Sequence, residues 1–207
     1  MVMSGTAIIS EGAEAKIYMQ SIFGANAIAK VREPKKYRQA ALDEEIRSSR
    51  TRSEAKIMAV ANSFGIRSPS LLAVGKYTII MSKISGKRMS SLKKPSMRIF
   101  YKLGMLLAKL HEAGIAHGDF TPANIIISKG LPYVIDFGLA EITGSIEEKA
   151  IDLLLMKRSI GARQYAAMER AYAAAYTPAK AVIKRLAAIE RRGRYQTRTM
   201  QAAEESD

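Results

Sequence analysis

The run His117-Gly118-Asp119-Phe120-Thr121-Pro122-Ala123-Asn124 carries a carboxylate and, five positions later, a carboxamide. Directly after it comes the apolar run Ile125-Ile126-Ile127. Asp136-Phe137-Gly138 follows seventeen positions after Asp119, behind a second apolar run, Tyr133-Val134-Ile135. Aspartate, asparagine five on, then Asp-Phe-Gly is the spacing of phosphoryl-transfer loops. The chemistry explains the residue types. Transfer of a terminal phosphoryl group needs a divalent cation to neutralise charge, and the Asn124 amide oxygen and Asp136 carboxylate are hard oxygen ligands suited to Mg²⁺. A further carboxylate, Asp119, can accept a proton from the attacking hydroxyl or water, or orient it. Each triplet alone is weak; the three in this order, on a fitting pattern of elements, are strong.

Those loops need elements to aim them. Thr6-Ala7-Ile8-Ile9, Lys16-Ile17-Tyr18-Met19 and Ala27-Ile28-Ala29-Lys30-Val31 read as three short strands, ended by Pro34. Residues 42–62 show helical spacing, with Gly65 as the stop. Leu71–Val74 and Tyr77–Met81, separated by Gly75-Lys76, suggest a hairpin. Residues 96–113 form the clearest amphipathic helix, on Ile99, Leu103, Leu106, Leu107 and Leu110, closed by Gly114. Two short strands then flank a turn placed at Gly130-Leu131-Pro132. Ser145-x-x-Glu148 opens a helix through Arg158 as a capping box, and Thr177-Pro178 opens another. The order is a small strand-rich half with one helix, then a mainly helical half, with the boundary near Ser82–Lys87.

Composition narrows the classes. The 207 residues are 48% hydrophobic and 25% charged, enough apolar material for a core. No cysteine is present, which excludes disulfides, Cys-zinc sites and thiol catalysis. No apolar run nears the ~18 residues of a membrane span, and the first residues lack signal-peptide character; no membrane partner and a cytoplasmic location are expected. Lys and Arg number 33 against 19 Asp and Glu, a net charge of +14. Between Glu54 and Glu112 there is no acidic residue but eleven cations. A second basic cluster runs from Lys180 to Arg198, interrupted by Glu190. Such an excess suits a polyanionic partner, or a solvated basic face.

Together the motifs resemble the protein-kinase-like superfamily, with His-Gly-Asp for the usual His-Arg-Asp. The resemblance implies an α+β, bilobal fold: an N-lobe over 1–84 with a small sheet and one helix, a reduced, mainly helical C-lobe over 85–195, and a flexible tail over 196–207. It implies that Lys30 pairs the α- and β-phosphates of ATP and that Glu54 brings a carboxylate to Lys30. Lys35, Lys36, Glu44 and Glu45 are competing choices. Without a partner a half-buried lysine would lose its charge to desolvation. The nucleotide-covering loop would be Glu11-Gly12-Ala13-Glu14-Ala15, with one glycine rather than three. Glu14 is unusual beside a triphosphate, and holding Lys30 or a metal is an alternative. Backbone groups of Met81-Ser82-Lys83 would meet adenine. Catalytic roles thus fall to Asp119, Lys30 and Asn124. Nucleotide contacts fall to Gly12, Ala13, Glu14, Lys30, Glu54, Met81, Lys83 and Asp136, and Mg²⁺ to Asn124 and Asp136. Expected supporting roles are loop orientation for His117 and a hydrogen bond from Asp152 to the catalytic-loop backbone.

No Ala-Pro-Glu motif follows Asp-Phe-Gly, and the segment before Ser145 is short. This is similar to the small atypical kinase/ATPase subunit family of the KEOPS (EKC) complex. The shared signatures include Gly12-Ala13-Glu14-Ala15, Pro34-Lys35-Lys36-Tyr37-Arg38, Arg50-Thr51-x-x-Glu54-Ala55, His117-Gly118-Asp119-Phe120-Thr121, Glu148-Lys149-Ala150-x-Asp152-Leu153 and Arg192-Gly193-Arg194. Thr121-Pro122-Ala123-Asn124 departs from the family's usual Thr-Thr-Ser-Asn. The resemblance implies an ATP- and Mg-dependent Ser/Thr kinase/ATPase supporting tRNA threonylcarbamoylation. Its partners would be a sugar-kinase/Hsp70-like threonylcarbamoyltransferase subunit, other KEOPS subunits and, through the complex, tRNA. Arg192, Arg194 and Lys184 would serve as phosphate or partner contacts. The rivals are a stand-alone atypical Ser/Thr kinase, a small-molecule kinase and a non-enzymatic scaffold. RIO-type kinases are near neighbours that fit less well at Asp-Phe-Gly and in the short C-terminal half.

Overall fold

The computed structural model describes residues 8–12, 14–22 and 24–204, with side chains to Arg192. Ten strands and five helices lie among them. β1 (Ile8–Glu11), β2 (Lys16–Ile22), β3 (Ala25–Val31), β4 (Leu71–Val74) and β5 (Thr78–Ser82) build an antiparallel sheet in the order β1-β2-β3-β5-β4. Gly24, at φ +79°, closes the turn from β2 into β3. The register sets Ile17 opposite Lys30, and Lys30 opposite Ile79 on the other side. Lys30 therefore stands on a central strand, held on both flanks.

α1 (Ala40–Ser63) buries Thr51, Glu54, Ala55, Met58 and Ala61, a helical stripe that carries one carboxylate inward with the apolar groups. Its start is fastened by Asp43. That carboxylate accepts from the Lys35 amide at 3.2 Å and from Arg47 Nε at 2.6 Å, with Arg38 at 3.6 Å. Arg47 also stacks on Tyr77, 3.9 Å from the ring centre. So the Pro34–Arg38 signature shapes the entry to α1, with Asp43 as the residue that ties it down. At the far end, Gly65 takes φ +61°, and the Asn62 side chain bonds the Leu71 amide and the Pro69 carbonyl, leading the chain into β4.

The second half holds β6 (Lys87–Arg88), α2 (Met97–Glu112), β7 (Ile115–Ala116), β8 (Ile125–Ser128), β9 (Leu131–Val134), β10 (Glu141–Ile142), α3 (Ile146–Ser159), α4 (Ala162–Ala175) and α5 (Ala179–Glu204). β6, β8 and β9 form one small sheet, and β7 pairs with β10. α2 packs on α4 so closely that a Cβ at Gly104 would overlap the Met168 carbonyl. Leu103, Leu107, Leu110, Ile115, Leu153, Met156, Met168 and Tyr172 fill the core around them.

Three details depart from the sequence expectations. The β8–β9 turn is Lys129-Gly130, both with positive φ (48° and 71°), as a two-residue hairpin on twisted strands requires; Leu131 and Pro132 belong to β9. α4 was not anticipated: half of its residues are alanine, and only Tyr165, Met168 and Tyr172, at helical spacing, mark its buried face with large side chains. α5 stays helical to Glu204 where a flexible tail is expected, since no proline or glycine follows Gly193 to stop it. Ala13, Thr6 and Ala7 lie outside the described residues, and so does the side chain of Arg194.

Candidate active site

Two segments meet at Ile135. Its amide donates to the Asn124 carbonyl at 2.9 Å, and its carbonyl accepts from His117 Nε2 at 3.2 Å. The second ring nitrogen, Nδ1, accepts from the Asp119 amide at 3.3 Å, which fixes the neutral tautomer. His117 is thus clamped between Phe120 and Phe137, ring centres 5.9 and 5.5 Å away. It orients both loops and has no nitrogen left for proton transfer.

The loop before Asp119 rests on Asp152 of α3, which is fully buried. Its carboxylate accepts from the amides of His117 (2.7 Å) and Gly118 (2.9 Å). Gly118 has φ +75°, and a Cβ would overlap the Leu139 carbonyl. This explains His-Gly-Asp here: no arginine side chain fits at 118. His111 Nε2 also donates to Asp152, at 3.1 Å, and its Nδ1 meets Tyr172 Oη at 2.8 Å. Burial lowers the His111 pKa, and Asp152 only partly opposes that shift.

The linkage has a definite sign. A histidine held neutral in the fold takes up its proton on unfolding below its ordinary pKa of 6.5. Its contribution is intact above pH 6.5 and is lost as pH falls, at a limiting slope of about 1.4 kcal/mol per pH unit. Urea midpoints from pH 7.5 to 5.5 are expected to fall for the wild type and to flatten in His111→Gln.

Asn124 Nδ2 donates to the Asp119 carbonyl (3.0 Å) and to Asp119 Oδ2 (2.7 Å). The clasp leaves Asp119 Oδ1 and Asn124 Oδ1 without a partner among the described residues. Asp136 has φ +63°, a left-handed conformation for a non-glycine residue at a functional turn. Its Oδ1 accepts from Lys30 Nζ at 2.8 Å and from the Gly138 amide at 3.1 Å, and Oδ2 has no protein donor among the described residues. Burial pushes the Asp136 carboxyl up. The charge and hydrogen bond of Lys30, with the Gly138 amide, outweigh that and hold it below the usual carboxylate range. A Cβ at Gly138 would stand 3.0 Å from Asp136 Oδ1, so glycine keeps this corner open.

Lys30 Nζ reaches Glu54 Oε1 at 2.7 Å as well as Asp136, joining α1, β3 and the Asp-Phe-Gly loop in one ion cluster. Lys35, Lys36, Glu44 and Glu45 take no part in it. Arg32, unforeseen in the sequence, donates from Nη2 to Glu54 Oε2 at 2.6 Å. Glu54 is 2% exposed and balances both cations. Alternation along β3 was the available signal: Arg32 is two residues from Lys30 and shares its face.

The upper rim has its own set of contacts. Glu14 bonds Arg50 and lies 3.7 Å from Arg32, not on Lys30, because these guanidinium groups stand nearer. The Lys83 amide donates to the Asn26 carbonyl at 3.3 Å, and Ser82 N to Ser70 O at 2.9 Å, as the sheet extends into the linker. Met81 is buried with its backbone in the sheet. The first linker amide with no partner among the described residues is that of Ile84. Gly12 donates its amide to Ala15 O at 3.0 Å, closing the covering loop. Arg192 lies 3.9 Å from Glu147, and Lys184 is exposed.

A family model for the RIO domain matches residues 13–157. The chain is 35% identical over 214 residues to the KEOPS complex subunit Bud32 of Pyrococcus abyssi, covering 93% of this chain and 97% of that protein. It is 35% identical over 197 residues to a probable bifunctional tRNA threonylcarbamoyladenosine biosynthesis protein of Methanocaldococcus jannaschii, covering 91% of this chain and 37% of that protein. The chain therefore spans little more than a third of the bifunctional relatives it matches. A probable serine/threonine-protein kinase BUD32 homolog of Archaeoglobus fulgidus is 37% identical over 175 residues, covering 82% of this chain and 89% of that protein. Among solved structures, the Rio2 kinase-ADP/Mg²⁺-phosphoaspartate complex of Chaetomium thermophilum superposes with a TM-score of 0.64 at 18% identity, over 94% of this chain and 71% of that one. That likeness establishes a kinase-like α+β fold. The RIO match also overturns the separation from RIO-type kinases drawn from sequence. The matched residues hold four of the five strands of the large sheet, both loops and most of α3, and end before α4 and α5.

Proposed function

The chain belongs to the RIO-domain family, among its Bud32 relatives, and on that premise we propose that it is an atypical Ser/Thr kinase/ATPase that uses ATP and Mg²⁺ in support of tRNA threonylcarbamoylation within a KEOPS assembly. The observation that carries the reading is Lys30 bound at once to Glu54 and Asp136, below a loop in which Asn124 clasps Asp119.

The donor set fits a nucleotide-borne Mg²⁺. Asp136 Oδ2 and Asn124 Oδ1 are oxygens with no protein donor, and no cluster of three or more acidic, His or Cys ligands exists among the described residues. Mg²⁺ characteristically takes one or two protein oxygens and completes its shell with phosphates and water. When bound, the ion neutralises charge developing on the transferred phosphoryl group. Lys30 offers its ammonium to the α- and β-phosphates, and Glu54, 2.7 Å away, keeps it aimed. Asp119 receives or orients the proton of the acceptor through its free Oδ1. Gly12, Ala13 and Glu14 cover the nucleotide. Adenine meets the linker after Met81, where the Lys83 carbonyl and the Ile84 amide are the open backbone groups. Residues 1–84 and 85–195 act as the two lobes.

The partner is a sugar-kinase/Hsp70-like threonylcarbamoyltransferase subunit, separate or fused as in the bifunctional relatives. tRNA is engaged through the complex, in the cytoplasm. No helix among the described residues is long and apolar enough to cross a membrane. Seven residues separate Gly138 from α3, little room for a peptide-docking platform. ATP hydrolysis measured with and without that partner subunit and tRNA tests the reading. Stimulation is the expected result; unstimulated turnover with broad protein phosphorylation would favour a stand-alone kinase instead.

A further inference from the structure

We infer that the groove between α2 and α4 binds an unpaired stretch of RNA. It is a concavity of roughly 520 Å³, remote in sequence from the loops that build the candidate active site. Its floor is apolar, with Met97 and Tyr101 from α2 and Ala166 and Ala167 from α4. Its rim carries Arg98, Arg163 and Arg170, and no acidic residue lines it.

These three arginines differ from most of those in the sheet-bearing half. Arg32, Arg38, Arg47 and Arg50 each meet a carboxylate. Arg98, Arg163 and Arg170 are exposed and make no ion pair or hydrogen bond among the described residues. Like charges gathered on one groove repel unless an anion joins them. Arg163 and Arg170 lie two turns apart on α4, about 10 Å along its axis. Charge is thus spread along a line, which suits a chain of phosphates better than a single one. Tyr101 is 51% exposed and gives the groove an aromatic ring for a base to stack on. Guanidinium groups beside an exposed aromatic ring are the means by which single strands are held.

The lining has no Asn, Gln, Ser, Thr, Asp or Glu, and stacking on Tyr101 with phosphate pairing to the arginines are contacts that any base sequence can make. An acidic amphipathic peptide is the competing occupant. The net charge of +14, and the absence of any acidic residue between Glu54 and Glu112, where all of α2 but its last residue lies, favour a polyanion over a short acidic patch. The choice of RNA rests on the tRNA reading above; the groove chemistry does not.

The test is fluorescence anisotropy of the full chain with a labelled twelve-residue oligouridylate across a salt series, without ATP or Mg²⁺. Tyr101→Ala is expected to weaken binding about fivefold or more with the salt slope kept. Arg98→Ala, Arg163→Ala and Arg170→Ala are each expected to lower that slope by about 1. All four side chains are exposed, and circular dichroism melts check that the variants remain folded. Three results would overturn the inference: no binding at low salt, binding that none of the four substitutions alters, or an acidic Glu/Leu helical peptide whose binding these substitutions weaken while that of the oligouridylate is unchanged. Because no nucleotide is present, failure here is separate from failure of the ATPase assay.

Discussion

Asp136→Ala is expected to reduce ATP hydrolysis by about a hundred- to a thousandfold, the scale on which one transition-state electrostatic contact is felt, while the urea midpoint stays close to that of the wild type. The two halves of this expectation come from the same side chain. Asp136 is 51% exposed, so its removal opens no cavity in the core. Lys30 keeps Glu54 as a partner at 2.7 Å, so no buried cation is stranded. What disappears is the oxygen set that faces away from Lys30, the only carboxylate oxygen of this loop free to meet a metal. Asp136→Asn retains the shape but loses the charge and should recover little activity. Lys30→Ala acts differently: Glu54 keeps Arg32, and the main loss is nucleotide positioning, read as a raised KM for ATP. Because Lys30 holds the Asp136 carboxyl below its usual range, the charge persists at neutral and mildly acid pH. A variant with wild-type hydrolysis at saturating Mg²⁺ would remove Asp136 from the metal site.

Much of this site was legible because its chemistry is written in short local spacings. Asp119, Asn124 and Asp136 sit on loops bounded by apolar runs, and the strands that deliver them are visible as such. Lys30 and Glu54 were reachable only through the kinase resemblance, which asks for a strand-borne lysine and a helix-borne carboxylate; Lys35, Lys36, Glu44 and Glu45 stood as competing choices. What could not be read depends on which neighbour wins in space. For Glu14 the sequence offered Lys30 or a metal, and the fold gives it to Arg50 of α1 and to Arg32, just past the end of β3. Lys83 has an ordinary backbone amide, and nothing in its side chain reveals that the β3 end at Asn26 takes that amide. α4 was hidden for a compositional reason. Ala162–Ala175 contains seven alanines, which favour a helix by propensity but contribute almost nothing to a hydrophobic period. The close approach of Gly104 to Met168 shows what the alanine-rich helix and that glycine are for: two backbones pack with little side chain between them.

The same reasoning makes Asp152→Ala the most damaging single substitution for the fold and the site together. Asp152 is fully buried, and its two oxygens serve three donors: His111 Nε2, His117 N and Gly118 N. Truncation leaves all three without their acceptor in a space closed to water. At about 1–3 kcal/mol for each of the three unsatisfied buried groups, a loss of roughly 3–9 kcal/mol of unfolding free energy is expected, a large share of the ~5–15 kcal/mol typical of a domain. Activity should fall as well, because Gly118 has no second way to hold its left-handed turn against Leu139, and Asp119 is the next residue. Asp152→Asn separates the two effects. Its amide oxygen can still accept from one backbone N–H, but its NH₂ group faces a donor, so part of the stability returns while the loop stays misaligned. Urea denaturation with ATP turnover measured on the still-folded fraction distinguishes these outcomes. If Asp152→Ala unfolds at the wild-type midpoint, the catalytic loop is supported from elsewhere, and the buried carboxylate is not its anchor.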